Sequence, residues 1–109
     1  MGAAQQRKGA KGERELAQIL RDMYGYETKR GSVFQGTSDV VGLPGVHIEC
    51  KRVERLNIHE AMKQAQQEAA KRCDGIPAVF HRRNRTEWLV TMRLEDWVDL
   101  YGSWNNDTE

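Results

Sequence analysis

The run DVVGLPGVHIECKR, Asp39 to Arg52, reads as a β-hairpin: two stretches rich in β-branched residues flank Leu-Pro-Gly. Its register follows from which residues can share a side of a sheet. A two-residue turn at Pro44-Gly45 would set Val40 opposite Glu49 and Asp39 opposite Cys50, apolar against charged. A three-residue loop, Leu43-Pro44-Gly45 with Gly45 in the left-handed region, moves the pairing by one. Gly42 then faces Val46, Val41 faces His47, Val40 faces Ile48 and Asp39 faces Glu49. Facing residues lie on one side of the sheet. The second register therefore makes one apolar side (Val40, Gly42, Val46, Ile48) and gathers charge on the other, with Val41 the apolar exception. It is the register expected here.

Periodicity supplies the other elements. Leu16, Ile19, Leu20 and Met23 recur at helical spacing, so a helix is predicted over about Lys11–Tyr24, stopped by Gly25. Residues 1–10 are polar, small and basic, and fraying is expected there. Tyr26–Arg30 is a short strand candidate, and residues 31–38 read as a loop. Asn57 is a plausible N-cap for a helix to about Cys73, with the stripe Ile58, Met62, Ala65 and Ala69. Pro77–His81 and Thr86–Met92 read as strands, and Leu94–Tyr101 as a last short helix before an acidic tail over 102–109. The order α, β, β, β, α, β, β, α implies an α/β fold in which a mixed sheet is flanked by helices.

The 109 residues suit a single domain with its own core. No stretch approaches the ~18 apolar residues of a membrane span, and MGAAQQRKGAKGERE lacks the apolar core of a secretory signal, so neither is expected. Cys50 and Cys73 form no CxxC pair, which argues against a zinc finger or disulfide scaffold and fits a reducing, cytoplasmic setting. The net charge of +1 hides an asymmetry. All 17 Lys and Arg but only 11 of the 16 acids lie in residues 1–94, a surplus of six positive charges. A basic body with an acidic end permits a nucleic-acid partner without demanding one.

The chemistry concentrates on one strand. Along Val46–Lys51, alternation sends His47, Glu49 and Lys51 to one side, so a carboxylate and an ammonium stand together. The register adds Asp39 beside Glu49. Two close carboxylates raise each other's pKa unless a cation lies between them. A hard divalent ion, Mg²⁺ most naturally, resolves that conflict through Asp39, Glu49 and a backbone carbonyl, that of Cys50. Lys51 beside such an ion can orient water or stabilise charge on a phosphorane-like transition state. The plain alternative is a solvated face of cross-strand ion pairs, since short D…ExK strings recur by chance. Glu13 favours the functional reading: it precedes Leu16 and Leu20 by three and seven residues, on their apolar face, where it could reach the same cluster. First-turn acids also suit the helix dipole. Arg7, Lys8, Lys11, Arg14, Lys29 and Arg30 could track a phosphate backbone, whereas Lys71, Arg72, Arg82, Arg83 and Arg85 read as solvated surface. Of the histidines only His47 shares the proposed site. Trp88, Trp97 and Trp104 read as core, interface or tail.

RKGAKGERELAQIL, Arg30, GTSDVVG and HIECK, followed by DGIPAVF and TEWLVT, resemble the archaeal-type Holliday junction resolvase family of the PD-(D/E)xK nuclease superfamily over roughly residues 7–92. The resemblance implies a restriction-endonuclease-like core. It implies a catalytic set of Glu13, Asp39, Glu49 and Lys51, and DNA handling by Arg14 and Arg30, with Ser32 matching a loop serine. It further implies Mg²⁺ or Mn²⁺, a homodimer and four-way DNA junctions as substrate. Ser38 stands where the superfamily usually has a proline. Related nucleases with this core nick duplexes or cut other branched DNA, and a third reading is a binding module that has lost catalysis; the intact acids and Lys51 argue against it. An RNA-binding domain would need an aromatic pattern that is absent.

Overall fold

A computed structural model describes residues 2–32 and 38–107, with side chains over 9–32 and 38–106. The elements run α1 (Gly2–Tyr24), β1 (Lys29–Arg30), β2 (Val40–Val41), β3 (Val46–Arg52), α2 (Ile58–Arg72), β4 (Ile76–Arg82), β5 (Leu89–Met92) and α3 (Leu94–Asp107). The predicted order of elements is thus the observed one, a single α/β domain. Most of the loop expected over 31–38 (residues 33–37) falls outside the described residues.

The five strands form one sheet in the order β1-β2-β3-β4-β5. The β3–β4 pair is parallel and the other pairs are antiparallel. In the hairpin, Gly45 adopts φ +86°, the Val46 N–H donates to the Leu43 carbonyl at 3.2 Å, and Val40 pairs with Ile48. This is the three-residue loop and the register expected from the side-chain pattern.

Helices cover both faces of the sheet. Leu16 and Ala17 of α1 pack on Val40, Ile48, Cys50, Ala78 and Phe80. Ala61 and Ala65 of α2 pack on Val79, with Leu56, Ile58 and Met62 around them. The small α2 stripe lets that helix lie close to the sheet, as the parallel β3–α2–β4 crossover requires. The charged side of β3 is therefore roofed rather than solvated, and His47 and Glu49 are buried.

Helix ends follow their sequence signals. Asn57 caps α2 by accepting the Glu60 N–H at 3.2 Å, and Cys73 closes it in the left-handed region at φ 52°. Gly25, at φ +78°, lets its own N–H and that of Tyr26 bond the Arg21 and Leu20 carbonyls, each at 3.1 Å, ending α1. Glu15 holds α1 over the sheet: it receives Arg82 and the Trp88 indole (3.1 Å) and lies 3.6 Å from Arg52.

Several expectations shift. The first helix begins at Gly2 rather than near Lys11, and Met23 of its proposed apolar stripe is 70% exposed, because the sheet ends beneath Leu20. The fully buried stripe of α2 is Ala61, Ala65 and Ala69; Ala65 and Ala69 are as predicted, Ala61 joins them, and Ile58 and Met62 pack partly buried at its margin. The last helix continues past Tyr101 to Asp107, and β5 spans only Leu89–Met92. No helix among the described residues is long and apolar enough to cross a membrane.

Gly42 shows how tightly the hairpin meets β1. Its φ is +106°, and a Cβ there would overlap the Glu27 carbonyl oxygen and press on Thr28. Replacing Gly42 with Ala combines backbone strain with a collision against main chain, so urea unfolding should report a loss on the order of 3 kcal/mol.

Candidate active site

Asp39 sits where β2 parts from β3. Its N–H donates to the Ile48 carbonyl at 3.2 Å, and its own carbonyl accepts the Gly31 N–H at 2.8 Å. Beyond that point the main-chain ladder stops, and the Asp39 carboxylate accepts the Cys50 N–H at 2.8 Å. A side chain thus takes the place of a strand. In a strand the N–H and C=O of one residue point to the same edge, so the Cys50 carbonyl also faces the gap that β2 leaves.

Glu49, 4% exposed, lies one position along β3. Its carboxylate is 3.9 Å from the Lys51 Nζ, and Lys51 in turn donates to Gln64 of α2 at 3.0 Å. Glu13 and Gln64 join Asp39, Glu49, Cys50 and Lys51 in lining one cavity of about 360 Å³. The four side chains named from the sequence therefore meet in one pocket, fed by α1, the β2–β3 fork and β3. Among the described residues, no three His, Cys, Asp or Glu side chains stand close enough to hold a metal as a set. Glu13 is engaged elsewhere, by the Arg30 Nε at 2.7 Å.

The electrostatics reflect unresolved acidity. The Asp39 carboxyl is pushed up to about 6, first by burial, then by the Glu49 charge, with the Cys50 N–H opposing and Glu13 and Lys51 adding smaller effects of opposite sign. The Cys50 thiol is pushed far up by burial and the surrounding carboxylates, which leaves it inert as a nucleophile.

His47 is fully buried beneath α2. Its Nδ1 lies 2.8 and 2.9 Å from the two Asp74 carboxylate oxygens, and its Nε2 lies 3.5 Å from Glu49, with no conventional hydrogen bond. Burial alone would lower its pKa, but the carboxylates of Glu49 and Asp74 prevail and hold it above its ordinary value. The imidazole thus ties the start of β4 to the buried acid.

The proposed DNA-handling residues are more dispersed. Arg30 reaches the site through Glu13. Arg14 is exposed and does not line the pocket, because the helix turns it outward. Lys11 borders a separate hollow of about 120 Å³ with Glu15, Arg52 and Asn84. Ser32 is half-buried beside β1. The Lys8 side chain lies outside the described residues.

No motif in the sequence marks Gln64, Arg55 or Lys63. With Lys51 they line a cleft of about 550 Å³ that shares Lys51 and Gln64 with the pocket, a basic approach to the acids. Gln64 precedes Glu68 by one helical turn on α2, but nothing in its spacing marks it without knowing that α2 roofs β3. The Asp74–His47 link was equally hidden, since its partners stand 27 residues apart.

A family model described as "Phage putative PDDEXK endonuclease" matches residues 4–109. No curated protein and no solved structure matches the chain.

Because the folded-state pKa of Asp39 lies above the usual 3.8, its contribution to stability is full below that value and is lost as pH rises through about 6. In metal-free protein, Asp39→Asn keeps an acceptor for the Cys50 N–H and removes the charge. Thermal melts should show little advantage for the variant at pH 4 and a gain on the order of 3 kcal/mol above pH 7.

Proposed function

The chain belongs to that phage family of PDDEXK endonucleases, and from this premise we propose that it hydrolyses DNA phosphodiesters at the pocket of Asp39, Glu49 and Lys51, assisted by a divalent metal ion. The observation that carries this reading is the enclosure of two carboxylates and an ammonium together at the split between β2 and β3. The superfamily is the one the sequence resemblance implied; the family matched is the phage one rather than the archaeal-type resolvases.

The donor set fits a hard cation. Asp39 and Glu49 offer carboxylate oxygens, the Cys50 carbonyl faces the same gap, and the raised Asp39 pKa marks negative charge that wants a counterion. These three groups would hold Mg²⁺ or Mn²⁺. When bound, the ion supplies Lewis acidity toward a phosphate and a water at the site.

The protein's own residues do the remaining work. The Lys51 ammonium, held by Gln64 and near Glu49, is poised to orient water and to offset charge growing on the phosphate oxygens. The fixed hydrogen bond to the Cys50 N–H aims the Asp39 carboxylate and keeps it from rotating away. Arg30 balances Glu13 at the rim, so a phosphate can approach without meeting an unpaired acid. Arg55 and Lys63, along the adjoining cleft, offer positive charge to a DNA backbone.

For the finer substrate we favour branched DNA, four-way junctions foremost, nicked in pairs by a homodimer acting in the cytoplasm. What supports this is the likeness of RKGAKGERELAQIL, GTSDVVG and HIECK to junction resolvases, and the symmetry logic that two nicks need two sites.

A cleavage panel of four-way, flap and linear duplex DNA, with Mg²⁺, Mn²⁺ or chelator, tests both levels. Metal-dependent nicks confined to the junction and paired across it are expected. Cutting of flaps or linear DNA alone overturns the junction reading, and no cutting in any metal, equal to an Asp39→Ala control, leaves only a binding module. Glu49→Gln should lower cleavage by at least ~100-fold while junction binding persists, measured by gel shift. Binding should also weaken steeply as salt rises; a flat response would contradict a phosphate-tracking cleft.

A further inference from the structure

The last helix leaves about half or more of the surface of its large apolar side chains exposed. Leu94, Trp97, Tyr101 and Trp104 are spaced three, four and three residues apart, the seam of a helix that packs along another helix. Val98 and Leu100 flank that seam. All six are between 47% and 76% exposed, and among the described residues none of them joins or packs against a buried cluster. The aromatic rings are already ordered along the helix: Trp97 and Tyr101 stack with centroids 5.3 Å apart, and Tyr101 meets Trp104 at 5.7 Å. Such rings seldom stay in water when a partner is available.

The charges say which partner. At 100° per residue, Asp99 lies about half a turn from the middle of the seam, and Glu95 and Asp96 lie roughly 120–140° from it. Asp96 is held there by the Arg93 Nε at 2.8 Å. A basic partner would call for acids along the seam's rim, where Val98 and Leu100 stand instead. Two copies of α3 meet with no like charges opposed. The six side chains offer on the order of 700 Å² per chain, close to the ~800 Å² per partner of a stable interface.

We propose that α3 is the self-association element of this protein, pairing with α3 of a second copy through the seam Leu94–Trp97–Tyr101–Trp104. The pairing leaves the pocket open, since α3 contributes none of its lining. It gives the paired-site reading above a physical basis and rests on that reading for its functional meaning, though the seam stands on α3 alone.

Light scattering on a sizing column, over a wide range of concentration, reads the mass directly. The full chain is expected at the mass of two copies, and the double variant Trp97→Glu, Tyr101→Glu at the mass of one, with far-UV dichroism and melting of the sheet domain retained. Trp104→Ala should weaken the dimer at least ~10-fold. Asp39→Ala should remain a dimer and fail to cut. A monomeric full chain at every concentration overturns the proposal, whatever else it binds, and takes paired nicking by a dimer with it. A dimer that survives the double Glu variant overturns the seam but spares paired nicking. A dimer broken by that variant whose parent cuts no DNA supports the seam and overturns the nuclease reading.

Discussion

One hydrogen bond organises the candidate site: the Asp39 carboxylate accepting the Cys50 N–H. A strand that leaves a sheet ordinarily strands the donors of its neighbour. Here the departing strand leaves a side chain behind to satisfy one, and that side chain is an acid. The same act pins Asp39, opens a gap facing the Cys50 carbonyl and brings the acid close to Glu49. Satisfying the backbone and concentrating negative charge are thus a single structural event.

The rest of the fold keeps that charge from escaping into water. The alanine stripe of α2 lies close enough to roof β3, so Glu49 is buried and Lys51 finds Gln64. On the opposite face, Glu15 fixes α1 by gathering Arg52, Arg82 and Trp88, which sets Glu13 at the pocket's rim. Burial makes each uncompensated acid costly. The arrangement persists because His47, Lys51 and Arg30 each stand against one of them, and it would gain further from a cation.

Much of this was written in the order of residues. The alternation of Val46–Lys51, with a Leu-Pro-Gly turn before it, determined the hairpin register and the meeting of Asp39 with Glu49. Helical spacing placed Glu13 toward the sheet. What local pattern could not show was depth. Alternation separates two sides of a strand but does not say how deeply a helix will bury either one, so the full burial of His47 and Glu49 was not legible. The partners that follow from that cover, Gln64 and Asp74, come from the crossover helix and the turn after it, and no short-range signal ties them to β3. Helix ends were misjudged for a related reason: Gly2–Ala10 and Gly102–Asp107 lack strong apolar periodicity, yet both continue helices begun by better-patterned neighbours.

The parallel pairing of β3 with β4 has a consequence for when the pocket becomes complete. Every acid of the pocket has been synthesised by residue 49, but the strand that carries Glu49 gains its parallel neighbour only after α2 has crossed over and residues 76–82 have arrived. Such distant pairings form late, once the intervening segment is in place. A nascent polypeptide halted on the ribosome short of that point holds the pocket's acids without the parallel strand that completes the sheet around them.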